Sequence, residues 1–141
     1  MSKEVRITSE TGGQKGSKEE RYDLIPTEPL RLLATLYGRG ANKYDDDNWR
    51  RGYDWKLSYA ALQRHVNQFW SGEDIDPETQ VPHVINAAWH CFTLAQFMID
   101  HPEYDHRYKV GTTNSPDDEN MLASFRELMP EEAKRLPSAV E

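Results

Sequence analysis

The sequence predicts an all-α fold: a small helical bundle around a central antiparallel helical hairpin, with long ordered loops. Two observations carry this. Between Ser58 and Met98, apolar residues recur at helical spacing in two runs, joined by an acidic turn of about ten residues that favours antiparallel neighbours. Further helical runs flank this stretch, one opening at Thr27 and one at Ser115, whereas strand-like alternation is confined to Val5 and Ile7.

At 141 residues the chain reads as one domain able to bury a core. We divide it into a flexible tail over residues 1–12, a single helical domain over 13–129 and a frayed tail over 130–141. Apolar residues make up 37% and charged residues 29%, and the net charge of −7 argues against a nucleic-acid duplex as partner. Four Trp and seven Tyr point to aromatic packing or to a stacking surface for a planar ligand. Cys91, the one cysteine, falls in the most apolar run and reads as an inert core residue; no intrachain disulfide is possible. No secretory pattern and no apolar run approaching ~18 residues is present, so a cytoplasmic protein without a membrane partner is expected.

Residues 1–13 read as a mobile tail or one short edge strand, broken at Gly12-Gly13. The segment GQKGSKEERYDLIP, Gly13 to Pro26, sets Lys15, Lys18 and Arg21 around two glycines. Close backbone approach and point charges suit a phosphate, although such glycines are also common in plain loops. Asp23, followed at once by Leu24-Ile25, is expected to be fixed against the core, as a direct or supporting metal ligand. Thr27 is placed to cap a helix with Pro29 in its first turn and a stripe of Leu30, Leu33 and Tyr37; Gly38 and Gly40 are expected to end it.

The next segment, Gly40 to Trp55, has no period, yet holds Tyr44, Trp49 and Tyr53 beside Lys43, Arg50 and Arg51. Two readings stand side by side: a loop that stacks a base and pairs its phosphates, or a loop whose aromatics pin it to the body. The run Asp45 to Asp47 reads as a solvated turn.

Ser58 is placed to cap the first hairpin helix, with Tyr59, Leu62, Val66, Phe69 and Trp70 on one face. The second, from Val84 to Ile99, has almost no polar side and is expected to be the buried centrepiece. Folding one on the other sets Glu73 opposite His83 at the mouth. His65 lies two turns down one helix and His90, seven residues after His83, two turns down the other. The lane of His65, Glu73, Asp76, Glu78, His83 and His90 could hold a divalent cation, work as general acid and base, or consist of core histidines beside a solvated turn. Beyond Met98 a polar linker carries His101 and His106, both expected to face solvent. A final amphipathic helix uses Met121, Leu122, Phe125, Leu128 and Met129, and Pro130 stops it.

Three blocks in this order, GQKGSKEERYDLIP, GRGANKYDDDNWRRGY and RHVNQFWSGEDIDPET with PHVINAAWH, resemble the amino-terminal domain of phage dATP/dGTP diphosphohydrolases, grouped with MazG-like all-α pyrophosphohydrolases. The resemblance covers residues 13 to 100. It implies hydrolysis of purine deoxynucleoside triphosphates to monophosphate and pyrophosphate with Mg²⁺ or Mn²⁺, in phage nucleotide-pool metabolism. On this reading Glu73, Asp76, His83 and His65 are the catalytic candidates, and Glu73, Asp76, Glu78, His83 and Asp23 the metal ligands. Lys15, Lys18, Arg21, Lys43, Arg51 and Arg64 are candidates for the phosphates. Tyr44, Asn48, Trp49 and Tyr53 are candidates for the purine deoxynucleotide's base side.

The wider family pairs a Glu-Glu-x-x-Glu helix with a Glu-x-x-Asp helix. In this chain Glu73-x-x-Asp76 lies in a turn, and Glu19-Glu20-x-x-Asp23 is the nearest match to the first half. Either the ligand set is rebuilt from His65, Glu73, Asp76 and His83, or the protein binds nucleotides without cleaving them. A non-catalytic sequestering protein is therefore the alternative, and a structural or interaction protein the third. A homo-oligomer is expected, since so small a bundle has aromatics to spare.

Overall fold

The computed structural model describes residues 4–109 and 116–127. The chain is mostly helical but not purely so. Strands β1 (Val5–Thr8) and β2 (Gln14–Ser17) pair antiparallel, with Val5 opposite Ser17 and Thr8 opposite Gln14. The all-α expectation is corrected to that extent. The hairpin was hard to see because only Val5 and Ile7 alternate, and both stay largely exposed. Its turn uses Gly12 at φ +83°, a backbone state that suits glycine.

Helix α1 spans Thr27–Lys43. Thr27 is its first residue and makes no capping hydrogen bond; Pro26 precedes it. The helix also runs through Gly38 and Gly40, which were expected to end it. A helical glycine costs only about 1 kcal/mol, and the packing of Leu33, Leu36 and Tyr37 outweighs two of them. After a loop that includes a 3-10 turn over Asn48–Arg51, α2 (Trp55–Trp70) begins. Its cap is Asp54, whose carboxylate accepts the Lys56 N–H at 3.0 Å. Ser58 is no cap: it lies inside α2, fully buried.

Helix α3 (His83–Asp100) packs along α2 and also against α1, so it does hold the centre. Its buried face is more polar than expected, with His83, Asn86 and Thr93 beside Ile85, Ala87 and Phe97. Val84, Phe92 and Met98 point outward, as does Cys91, which is an exposed thiol rather than a core residue. On α2, likewise, the stripe of Tyr59, Val66, Phe69 and Trp70 faces out, and Trp70 is 87% exposed. Periodicity located both helices, but the side that meets the partner helix is the one carrying the histidines and Ser58. The core proper is Leu33, Val81 and Ile85, flanked by Leu32, Leu36, Tyr37 and Trp89.

Residues 101–109 were expected to be a solvent-facing linker, yet they strap the loop before α2. The Trp55 indole N–H donates to the His101 carbonyl at 3.0 Å, and Nε2 of His101 bonds the Arg50 carbonyl at 2.6 Å. The His101 ring is only 18% exposed, and it lies against Gly52, whose φ is +87°. A Cβ at Gly52 would sit 2.8 Å from that ring, so only glycine fits. His106, more exposed, bonds the Asp54 carboxylate at 2.8 Å. Helix α4 (Pro116–Glu127) shows no comparable packing on the hairpin among the described residues. Ser115, Leu128, Met129 and the tail 130–141 lie outside the described residues.

No described helix is long and apolar enough to cross a membrane.

Candidate active site

The α2–α3 pair has one register, and the polar groups reveal it. Ser58 meets His90 and His65 meets His83, so seven residues forward on α2 match seven back on α3. Nδ1 of His65 lies 2.9 Å from Nδ1 of His83, and Nε2 of His83 lies 2.7 Å from Oε1 of Glu73. The rings of His65 and His90 stack at 6.0 Å with an interplanar angle of 24°. Nδ1 of His90 is 3.0 Å from the Ser58 hydroxyl, which is 2.6 Å from the Tyr53 phenol. A line of six polar groups thus runs between the helices, from half-exposed Glu73 to Tyr53.

Proton positions along the first half follow from chemistry. A carboxylate only accepts, so His83 donates from Nε2 to Glu73. Where Nδ1 of His83 accepts, Nδ1–H of His65 donates to it. His65 is left with a lone pair on Nε2. Burial, with lesser contributions from His83 and Arg64, outweighs the pull of Asp76 and Glu78 and holds the His65 imidazole below its ordinary range. It is therefore a neutral base at pH 7.

Asp76 is buried, and both its oxygens accept hydrogen bonds from the turn itself. Oδ2 accepts from the Thr79 hydroxyl at 2.9 Å and the Thr79 N–H at 3.2 Å, and Oδ1 accepts the Glu78 N–H at 3.3 Å. Burial pushes its carboxyl up, and these hydrogen bonds together more than reverse that, leaving it below the ordinary range. Asn86 completes the knot, donating to Thr79 Oγ1 and to the Val81 and Pro82 carbonyls at 3.0–3.1 Å. Arg39 of α1 donates to the Thr79 carbonyl. The turn is thereby held in shape, which is what sets Glu73 opposite His83.

Asp23 is not fixed against the core. It is 62% exposed and forms a two-pronged pair with Arg21 at 2.7 and 2.8 Å, while Leu24 beside it is also exposed. Among the described residues no three His, Cys, Asp or Glu side chains are grouped to hold a metal. Asp76 and His83 already have partners on both polar atoms, and Asp23 is held by Arg21. Among the described residues the expected ligands thus do not come together around one point where a Mg²⁺ or Mn²⁺ ion would sit.

Beside His90 opens a cleft of about 570 Å³ between the end of α1, the loop before α2, and α3. Tyr44, Asn48, Trp49 and Tyr53 line it, and Tyr37 and Trp89 join them. Trp49 also packs among Tyr37, Trp89 and Phe97, with ring centroids 6.0–6.2 Å apart, so the loop is pinned and lines a cleft at once. Asp45, Asp46 and Asp47 sit on the lining too, which suits an uncharged base better than a polyphosphate. The Arg50 guanidinium lies 4.8 Å from the Trp49 ring centre, and Lys43 lies 5.5 Å from that of Tyr44. Arg64 is exposed and acts electrostatically on both His65 and His90. Lys15, Lys18 and Arg21 lie on or after the β-hairpin, before α1, whereas Lys43 ends that helix. With 17 residues, α1 separates the two basic clusters by roughly 25 Å of helix.

Two features escaped the sequence. The Tyr53–Ser58–His90 link was hidden because Ser58 resembles a helix cap, although its place seven residues before His65 matches that of His90 after His83. Tyr37 and Trp89 were read as core alone.

A family model described as dATP/dGTP diphosphohydrolase, N-terminal, matches residues 9–107. No curated protein and no solved structure matches the chain.

Proposed function

The chain belongs to the dATP/dGTP diphosphohydrolase N-terminal family, and from that premise we propose that it hydrolyses purine deoxynucleoside triphosphates to the monophosphate and pyrophosphate. The observation that carries this reading is the Glu73–His83–His65 chain beside His90, at the aromatic cleft. The base stacks in the cleft, away from bulk water. The phosphates extend out of the cleft, where Arg64, Lys43 and Arg51 offset the charge of Asp45 to Asp47.

Nε2 of His65 takes a proton from water as that water attacks, the α–β phosphoanhydride bond breaks, and pyrophosphate leaves. The charge gained by His65 is shared through Nδ1–H to His83 and from His83 Nε2–H to Glu73. His83 and Glu73 are thus positioning residues, and His65 is the catalytic one. Triphosphates travel in solution as complexes with Mg²⁺ or Mn²⁺, and the substrate is taken as such a complex. A part in phage nucleotide-pool metabolism belongs to the same proposal.

The second reading is a sequestering protein. What favours it is that Asp76, His83 and Asp23 are engaged and no three-donor metal group forms among the described residues. Incubation with dATP and dGTP, with and without Mg²⁺ or Mn²⁺, separates the two when pyrophosphate and monophosphate are quantified. Equimolar release of both products is expected. Saturable binding without products would replace the enzyme by the sequestering protein.

A further inference from the structure

We propose that His90 is the residue that recognises a purine: its Nε2–H donates a hydrogen bond to ring nitrogen N7 of the base in the cleft, with Ser58 and Tyr53 fixing its tautomer. This rests on the nucleotide reading above and adds to it the atom by which the base is read.

The argument begins with Ser58. Its side chain is fully buried inside α2, so its hydroxyl has two partners, Nδ1 of His90 at 3.0 Å and the Tyr53 phenol at 2.6 Å. One hydroxyl has one proton, so it donates to one partner and accepts from the other. A phenol is the stronger donor and, with its oxygen conjugated to the ring, the poorer acceptor. In the opposite order the phenol proton would need another acceptor, and among the described residues none bonds it. The order is therefore Tyr53 O–H to Ser58 Oγ, then Ser58 O–H to Nδ1 of His90.

A neutral imidazole that accepts at Nδ1 carries its proton at Nε2. Burial, then His65 and Arg64, push the His90 ring down to about 4, so it is neutral at pH 7. Nε2 has no hydrogen-bond partner among the described residues, and it is not one of their sealed, unpartnered polar atoms. The ring lines the cleft, with Trp89 edge-on at 4.9 Å. Beside the indole N–H groups of Trp49 and Trp89 and the Asn48 amide, the cleft thus contains an imidazole N–H whose tautomer is fixed from behind by Ser58.

The acceptor follows from comparing the bases. Adenine and guanine differ at position 6, where one has an amine donor and the other a carbonyl acceptor, but both carry an acceptor at N7. Pyrimidines have none there. N3 is shared as well, but pyrimidines present O2 in its place, so the acceptor that one donor finds on both purines and on no pyrimidine is N7.

The test needs no variant at its centre. Binding to the full chain is measured for the non-hydrolysable α,β-methylene analogue of dATP, and for its 7-deaza and 3-deaza counterparts. The 7-deaza compound is expected to bind about fivefold more weakly and the 3-deaza compound equally well, as one hydrogen bond predicts. In His90→Leu the 7-deaza penalty should vanish. In His90→Gln, whose amide N–H can take the same place, part of it should return. Independently, ¹⁵N-histidine spectra of the ligand-free protein should give His90 a proton on Nε2 and a bare Nδ1. Equal binding of dATP and 7-deaza analogues, or a penalty on the 3-deaza analogue instead, overturns the proposal and leaves the nucleotide reading standing. A proton on Nδ1 of His90 overturns it without any ligand. Absence of binding by all three analogues removes the nucleotide reading, and this proposal with it.

Discussion

His65 and His83 face each other Nδ1 to Nδ1 at 2.9 Å across the α2–α3 pair, so two imidazoles share one proton between them. Glu73 on the far side takes the Nε2–H of His83, which leaves Nδ1 of a singly protonated His83 to accept from His65. The consequence is a bare Nε2 on His65. A pH dependence follows. A base must be unprotonated, and the His65 pKa is depressed chiefly by burial. The rate should therefore rise with pH only until a point below the ordinary histidine value of about 6.5, and then stay level. His65→Gln should lower kcat by about 10²–10⁴-fold. Glu73→Gln should shift the acidic limb further down, because the imidazolium loses its counter-charge. A kcat–pH profile measured for all three proteins checks this; an unmoved limb in Glu73→Gln would count against the relay.

Asp76 is expected to matter for stability before chemistry. Removing its carboxylate orphans the Thr79 hydroxyl and two N–H groups in a part-buried turn. Asp76→Ala should lose about 2–4 kcal/mol in urea denaturation. The sign with pH is fixed by its depressed pKa. The wild type keeps this contribution above the ordinary aspartate range and loses it on acidification through the folded pKa, whereas the variant shows no such loss.

How much of this was legible in the sequence is clearest at the hairpin. Helical spacing located α2 and α3, and the acidic turn between them gave the antiparallel pairing that sets Glu73 opposite His83. The facing surfaces were misjudged. Hydrophobic period marks a helix, but in a chain whose apolar residues also cover an outer face it does not say which side meets the neighbour. Tyr59, Val66 and Trp70 share one helical face, and that face is exposed, whereas the histidine face is the one turned to the partner helix. The strap of residues 101–109 was illegible for another reason. Its contacts are a carbonyl, an indole N–H and a glycine surface, none of which leaves a pattern in sequence.

The aromatic loop separates into two roles. Tyr44 lines the cleft yet is 56% exposed, while Trp49 is packed among three other rings. Tyr44→Ala should weaken nucleotide binding by about 1–3 kcal/mol with the melting temperature unchanged. Trp49→Ala should lower the melting temperature markedly as well as affinity. Calorimetric titration beside thermal melts of both variants checks this. Loss of stability in Tyr44→Ala would assign that residue to packing too.

Two glycines should respond in opposite directions. Gly52 is at φ +87°, and any Cβ would strike the His101 ring at 2.8 Å. Gly52→Ala should cost about 2–3 kcal/mol. Gly38 is helical, and a Cβ there would meet nothing within 4 Å. Gly38→Ala should stabilise by about 0.5–1 kcal/mol by restricting the unfolded chain. Denaturant midpoints of the pair measure both.

The outer face of the hairpin bears on self-association. On α2, Tyr59, Val66 and Trp70 form one exposed line, and on α3, Val84, Cys91 and Met98 form another at seven-residue spacing. Large apolar patches on a folded surface mark places where a partner is seated. We propose a second copy of the chain as that partner, with Lys15, Lys18 and Arg21 of one copy serving the other copy's cleft. Light scattering after size exclusion should then give a mass above the 16.4 kDa of one chain. Val66→Glu with Trp70→Glu should reduce it to one chain without loss of helical circular dichroism, because both side chains lie outside the histidine face. If Lys15 and Lys18 serve the cleft only across that interface, the double variant should also lose much of its preference for triphosphate over monophosphate. A monomeric wild type would remove the second copy, and an unchanged phosphate preference in the monomerised variant would remove the shared clamp.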